Sequence, residues 1–390
     1  MKFNKVKLKD ISCGEGSYGI GASAVEYSED LYKYLRITDI SENGTINENE
    51  LKSVDDSNAE QYLLKENDIC FARTGNSTGK TYFHDGKIKD LVYAGFLIKF
   101  SLDKTKVNPK YIKYYTMTNK YKNWVRGIQT GSTRGNINAK MYGDLEIEIP
   151  KRLYQDKIVI LLDNITKKIE INNHTNNNLY EIGKALYQEY FENNKYTNNY
   201  EVKQLIEVTT NNRNKIDKSR EYKVLSAVNT GNLVLSEDYF DKQVYSKDIG
   251  KYLNVNKNDF AYNPARINIG SIGLNAFDYN CCVSPVYVTF SVDKDYIDFF
   301  DFYFKSKKFN AEVTLRASGS VRQALNYNDF GMIEILYPSK EIIDKFNSSY
   351  KTIKKRININ KTKISNLEQL RDTLLPKLMN GEIDLDKVEI

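Results

Sequence analysis

Residues 156–191 read DKIVILLDNITKKIEINNHTNNNLYEIGKALYQEYF. Every seventh position, Ile158, Ile165, Asn172, Leu179 and Leu186, is apolar except the asparagine in the middle. A seven-residue apolar repeat sets one face of a helix against a partner helix. The run holds no proline, and its one glycine, Gly183, comes late. A helix from about Asp156 to Phe191 is roughly 50 Å long at ~1.5 Å per residue, a strut rather than the core helix of a compact domain. The same ladder returns 188 positions later as Phe346, Ile353, Asn360, Leu367 and Leu374, with Pro376 only at its end. Two ladders of one phase, each with asparagine at the midpoint, predict an antiparallel coiled-coil pair about a local twofold axis. Asn172 and Asn360 are expected to face each other there, because a buried polar rung fixes register at some cost in stability.

Working outward, each ladder closes a segment that reads as β-rich. In the first half, Tyr34–Ile40, Asp68–Ala72 and Leu91–Phe100 read as strands, and Pro109–Met117 as a helix with proline in its first turn. A Gly/Ser/Arg loop, Gly131-Ser-Thr-Arg-Gly-Asn136, precedes the strand Leu145–Ile149 and Pro150. The second half repeats the order. Tyr222–Ser226 answers Tyr34–Thr38, Asn258-Asp259 answers Asn67-Asp68, Ser284–Phe290 answers the third strand, and Gly319-Ser-Val-Arg322 answers Gly131-Ser-Thr-Arg134. From that loop to the end of the ladder the offset stays at 188. The period is far too long for a solenoid. The expected fold class is α+β: two β-rich modules, each followed by a long helix, with pseudo-twofold symmetry. The expected divisions are 1–150, 151–195, 196–338 and 339–390.

At 390 residues more than one core is expected. The net charge of +6 suits a polyanion partner if the charge is clustered. Four scattered cysteines form no C-x-x-C pair, and with only His84 and His174 a zinc site is not expected. No segment has 18 uninterrupted apolar residues, and the N-terminus has no apolar leader pattern, so a reducing, cytoplasmic setting without membrane contact is expected.

Catalytic signatures are missing. Gly75-Asn-Ser-Thr-Gly-Lys80-Thr81 has three residues between its glycines where a phosphate loop needs four, and Tyr82–Gly86 does not read as the required helix, so a tight turn is expected. Asn263-Pro-Ala-Arg266 lacks the second proline of an amino-methyltransferase tetrad. What recurs is donor chemistry on loops. Arg73, Thr74, Asn76 and Lys80 follow one strand; Arg266, Asn268 and Ser271 follow its counterpart. Ser132, Thr133 and Arg134, and again Ser320, Arg322 and Gln323, form the second loop of each module. Arginine reads guanine through a bidentate fork, asparagine and glutamine read adenine, and serine or threonine can hold phosphate or base edges. The competing role for Arg134 and Arg322 is to pin their loops to the scaffold. Tyr111, Tyr114, Tyr115, Tyr121 and Trp124 read as helix-core packing rather than base stacking.

This arrangement resembles the specificity subunit of type I restriction–modification systems. The residues carrying the resemblance are Leu64–Ile69 before Ala72–Gly75, Asn258-Asp259 before Pro264–Arg266, and Gly270–Gly273. Gly131–Arg134 with Asn138, Gly319–Arg322 with Asn326, and the ending Leu374-Leu-Pro-Lys-Leu-Met-Asn-Gly-Glu-Ile383 complete the set. The resemblance spans essentially the whole chain. It implies two target recognition domains, each reading half of a bipartite site in double-stranded DNA, and a helical spacer that sets the gap. It implies a non-catalytic subunit that binds two methyltransferase subunits, joined by restriction subunits, with S-adenosylmethionine, ATP and Mg on those partners. The first helix departs from the pattern, ending Leu186-Tyr-Gln-Glu-Tyr-Phe191 without Leu-Pro-Lys-Leu. The alternatives are a coiled-coil interaction scaffold, which predicts no salt-dependent DNA affinity, and a self-contained DNA-modifying enzyme, which predicts activity of the isolated chain.

Overall fold

The computed structural model describes residues 2–131, 135–193, 200–240, 243–318 and 324–388. The chain is α+β and divides into two compact units, Met1–Asn173 with Thr362–Ile390, and His174–Lys361.

In the first unit, Phe3–Lys7 pairs antiparallel with Glu146–Pro150, tying the start of the module to its last strand. Two four-stranded sheets lie between. One runs Ser17–Tyr18, Leu97–Ser101, Asp68–Ala72, Thr81–His84, all antiparallel. The other runs Ala24–Val25, Lys52–Val54, Tyr32–Leu35, Leu91–Tyr93, its last pairing parallel. Helices Pro109–Tyr115, Asn119–Gly131 and Ala139–Gly143 pack with the first sheet around Phe71, Phe100, Tyr111, Tyr121 and Tyr142, all buried. The tyrosines of this segment therefore fill the core, as their spacing suggests.

The second unit repeats the closing strand pair and the order of the first sheet. Tyr200–Gln204 pairs with Glu334–Pro338. One sheet runs Thr209–Asn211, Val288–Val292, Phe260–Tyr262, Ile272–Leu274. The other runs Asn232–Leu235, Lys223–Val228, Cys281–Val283, Leu253–Val255, and again contains one parallel pair, Lys223–Val228 with Cys281–Val283.

Two repeated sequence features have a local physical basis. Asn67 and Asn258 both adopt positive φ (73° and 70°), a conformation asparagine tolerates. Each turns the chain so that the next residue, Asp68 or Asp259, accepts the backbone N–H three positions back, from Lys65 at 2.8 Å and from Asn256 at 3.0 Å. Asn138 and Asn326 are helix N-caps. Asn138 Oδ1 accepts from Met141 N, and Asn326 Oδ1 accepts from Asn328 N and Asp329 N.

The long helices are Arg152–Phe191 and Lys340–Met379, 40 residues each and offset by 188 at both ends. At ~1.5 Å per residue each is about 60 Å long. All ten ladder positions are buried or half-buried. In the first unit, Ile158, Val159 and Leu162 share a core with Leu375, Leu378 and Met379, and Lys157 Nζ donates to the Leu385 carbonyl at 2.7 Å. In the second unit, Phe191 stacks edge-on to Phe346 (centroids 5.0 Å apart). A Cβ on Gly183 would lie 2.6 Å from the Tyr350 ring, and Asn360 Nδ2 donates to Asn176 Oδ1 at 2.9 Å. As numbers fall along the first helix they rise along the second, so the pairing within each unit is antiparallel.

Three local expectations are corrected. Asn360 is 1% exposed, as a register rung should be, but its partner is Asn176, one turn beyond Asn172; the Asn172 amide instead donates to the Lys168 carbonyl. Leu91–Phe100 is two strands in different sheets. The chain turns at Ala94-Gly95-Phe96, where Leu97 N bonds Ala94 O and Gly95 N bonds Ile20 O at 2.7 Å. The strand expected over Tyr34–Ile40 is Tyr32–Leu35, ended by Asp39, whose carboxylate takes Arg36 N and the Arg36 guanidinium.

The ending Leu374–Ile383 is a helix cap. Gly381, at φ 72°, lets Glu382 N reach Lys377 O and Gly381 N reach Leu378 O, the paired bonds of a Schellman motif, and the chain then buries Leu385.

Candidate nucleic-acid interface

Asp68–Ala72 is buried throughout, and Arg73 is the first residue beyond it. Its backbone is held on both sides, with Arg73 N bonded to Phe96 O and Ile137 N bonded to Arg73 O, each at 3.0 Å. The chain then doubles back. Gly79 N returns to Ala72 O at 2.9 Å, Ala72 N bonds Lys80 O, and Thr78 Oγ1 bonds Gly75 O. Gly75 and Gly79 both have positive φ (70° and 89°), which glycine adopts without steric cost. Gly79 also has no room for a side chain, since a Cβ would meet Val125 at 2.6 Å. From below, Tyr121 Oη donates to Gly79 O and Tyr142 Oη donates to Ala72 O, both at 2.8 Å. Strand Thr81–His84 follows, so the stretch is the expected tight turn and not a phosphate loop.

The side chains of this rigid turn differ in use. The Arg73 guanidinium lies over the Tyr18 ring at 5.0 Å, and its buried Nε has no hydrogen-bond partner. Tyr18 is itself fixed, its hydroxyl accepting from Ala139 N at 3.2 Å. Thr74 is half-buried and Asn76 exposed. Lys80 is paired with Glu42 at 3.1 Å. Asn76 and Lys80 line a surface pocket of about 240 Å³ together with Lys122, Arg126 and Gln129 from helix Asn119–Gly131.

In the second unit the corresponding turn is also held, with Asn263 N bonded to Ser271 O and Leu325 N bonded to Pro264 O, each at 3.0 Å. Arg266 and Asn268 are exposed on a short 3-10 turn anchored by buried Ile267. Gly270, at φ 86°, closes it, with a Cβ position 2.7 Å from Asn229 O. Ser271 is a correction. It is 2% exposed, and its hydroxyl donates to the Ala227 carbonyl at 2.8 Å, so it holds the turn to the sheet and faces no ligand. Ser132, Thr133, Arg134, Ser320, Arg322 and Gln323 lie outside the described residues.

Among the described residues no cluster of three metal-ligating side chains occurs. No described helix is long and apolar enough to cross a membrane.

Residues 2–181 match the family described as the type I restriction modification DNA specificity domain. Over these residues, a little under half of its length, the chain matches the type I restriction–modification specificity family. The type I restriction enzyme HindI specificity subunit of Haemophilus influenzae is 41% identical over 69 residues, 18% of this chain and 15% of that protein. The MjaIX specificity subunit of Methanocaldococcus jannaschii is 23% identical over 327 residues, 74% of this chain and 72% of that one. The S subunit from M. genitalium has the same fold, with a TM-score of 0.53 at 15% identity over 97% of this chain and 96% of its own.

Arg73, Asn76, Arg266 and Asn268 stand on the two turns with their side chains on the surface or half-buried. Lys122 and Arg126, absent from the sequence-derived set, share the pocket with Asn76. Their i, i+4 spacing was the available signal. Tyr18 was also missed. It lies far from Arg73 in sequence and carries no motif.

Proposed function

We propose that this chain is the non-catalytic specificity subunit that directs a type I restriction–modification complex to a bipartite site in double-stranded DNA. The globular parts within 1–150 and 196–338 each read one half-site, through the turns beginning at Arg73 and Arg266. The paired helices within 151–195 and 339–390 fix the spacing and seat two methyltransferase subunits; restriction subunits complete the assembly. S-adenosylmethionine, ATP and Mg belong to those partners, and the complex works in the cytoplasm.

One observation carries the reading. Two helices of identical length, offset by 188, follow modules that share one sheet of the same strand order, while the turns at equivalent strand ends differ in residue and exposure. A shared frame with divergent tips suits two heads that read different sequences. A helix of about 60 Å corresponds to ~18 base-pair steps of ~3.4 Å, enough to separate two major-groove contacts by more than a turn.

The test is co-expression with a candidate methyltransferase subunit and mapping of methylated adenines in the host DNA. A motif of two defined halves and a constant gap is expected. A stable complex that methylates nothing supports an interaction scaffold instead. Methylation by the isolated chain supports a self-contained enzyme.

A further inference from the structure

Among the described residues of 1–150, four large apolar side chains are exposed: Tyr18, Val25, Tyr27 and Phe96. Of these, Phe96 borders a surface pocket, while Tyr18, Val25 and Tyr27 flank in sequence the stretch 20–24 that lines its other side. Residues 20–24 and Ala94-Gly95-Phe96 line one surface pocket of about 640 Å³, predominantly apolar. The two stretches are lashed together by Ile20 N to Tyr93 O at 3.0 Å and Gly95 N to Ile20 O at 2.7 Å. Tyr34 Oη, donating to the carbonyls of Ile20 and Ala22, closes the floor. The one cation on the far rim, Arg36, is neutralised by Asp39. An exposed aromatic side chain on the edge of an apolar pocket marks a contact site.

Its position beside Arg73 identifies the contact. Ala72 pairs with Leu97, so Arg73 and Phe96 are the next opposed residues past the end of an antiparallel pair, joined by Arg73 N to Phe96 O. That bond joins the two backbones directly, so both residues stand at the same strand end, within reach of base-pair steps ~3.4 Å apart. In the major groove the thymine methyl is the apolar feature of a base edge, and apolar side chains contact it. We propose that Phe96, 59% exposed, reads a thymine methyl in the base pair next to the one contacted by Arg73, with Tyr18 as the positioning residue that holds the guanidinium in place. This rests on the DNA-reading role proposed above and adds the chemical group recognised.

The experiment uses the complex of this chain with its methyltransferase subunits and duplexes carrying the methylated motif. Each thymine is replaced in turn by deoxyuridine, which removes only the methyl group, and binding is measured by fluorescence anisotropy. One replacement, in one half-site, should weaken wild-type binding about three- to fivefold, the worth of one buried methyl. Phe96→Ala should bind the unmodified site more weakly by a similar factor and be indifferent to that replacement, while still rejecting wrong bases in the other half. Tyr18→Ala should relax discrimination at the neighbouring base pair, and Tyr18→Phe should retain it. Wild-type indifference to every deoxyuridine, an unchanged penalty in Phe96→Ala, or a motif without thymine in either strand of that half would overturn the proposal. So would loss of methyltransferase binding in Phe96→Ala, which would make the patch a protein contact. A complex with no sequence-selective binding at all would instead defeat the DNA-reading role itself.

Discussion

At the residue scale, chemistry alone does not separate readers from braces. Arg73, Arg266 and Ser271 all sit on post-strand turns and could all donate to DNA. Their surroundings divide them, because Ser271 already spends its hydroxyl on the Ala227 carbonyl. Arg73→Ala should relax one position of one half-site and Arg266→Ala one position of the other, each by about 1–3 kcal/mol in competition binding against base-substituted duplexes. Lysine should not restore either, since a bidentate fork needs the planar guanidinium. Ser271→Ala should leave discrimination intact and lower unfolding stability by about 1–3 kcal/mol, because a buried carbonyl loses its donor. Thermal denaturation and the same binding assay separate the two effects. The position of Arg73 just beyond a strand was legible in sequence, because strand and turn are local patterns. Tyr18 was not, because the contact depends on a sheet edge and the segment near Ala139 meeting in space.

At the element scale, the heptad ladders read well because burial on one helix face imposes a period that sequence carries directly. Register read less well. Asn172 and Asn176 are one turn apart on the same face of an asparagine-rich stretch, and spacing alone does not choose between them; side-chain packing assigns Asn176 to Asn360. Gly183 offers a sharper test of packing. In solvent its replacement by alanine would favour the helix by ~1 kcal/mol. Here the added methyl meets the Tyr350 ring, so Gly183→Ala should lower stability by about 1–3 kcal/mol through overpacking, measured by urea denaturation. Deleting one heptad from each helix should shorten the gap between the methylated half-sites and leave both halves unchanged. A constant gap would show that the helices do not set it. The run Leu91–Phe100 was misread as one strand because both of its parts are apolar, and only the bonds at Gly95 reveal that they enter different sheets.

At the scale of the whole molecule, the duplication was legible because the 188-residue offset runs without insertion through strand and helix. The sheet order was not, since pairing such as the parallel Tyr32–Leu35 with Leu91–Tyr93 links segments far apart in the chain. Stability should also depend on pH through one buried base. His84 is 3% exposed, and burial pushes its pKa below the ordinary 6.5 despite nearby Asp68 and Asp85. The unfolded chain therefore takes up a proton near pH 6.5 that the folded chain refuses. This contribution is fully present above about 6.5 and declines as pH falls from there toward the lowered folded value. Melting temperatures recorded from pH 7.5 down to 5.5 should fall less in His84→Gln than in the parent chain.

The second unit, His174–Lys361, is one uninterrupted length of polypeptide, whereas the first is assembled from Met1–Asn173 and Thr362–Ile390. On the ribosome the inner unit has all its residues while the outer one still lacks Leu375, Leu378, Met379 and Leu385 from its core. Synthesis order therefore reverses the order of completion: the half begun first is finished last. A nascent chain stalled near Lys361 should resist protease across its later portion and be cut readily in its earlier one. Synthesis of the stretch from Thr362 through Leu385 then completes the core of the first unit.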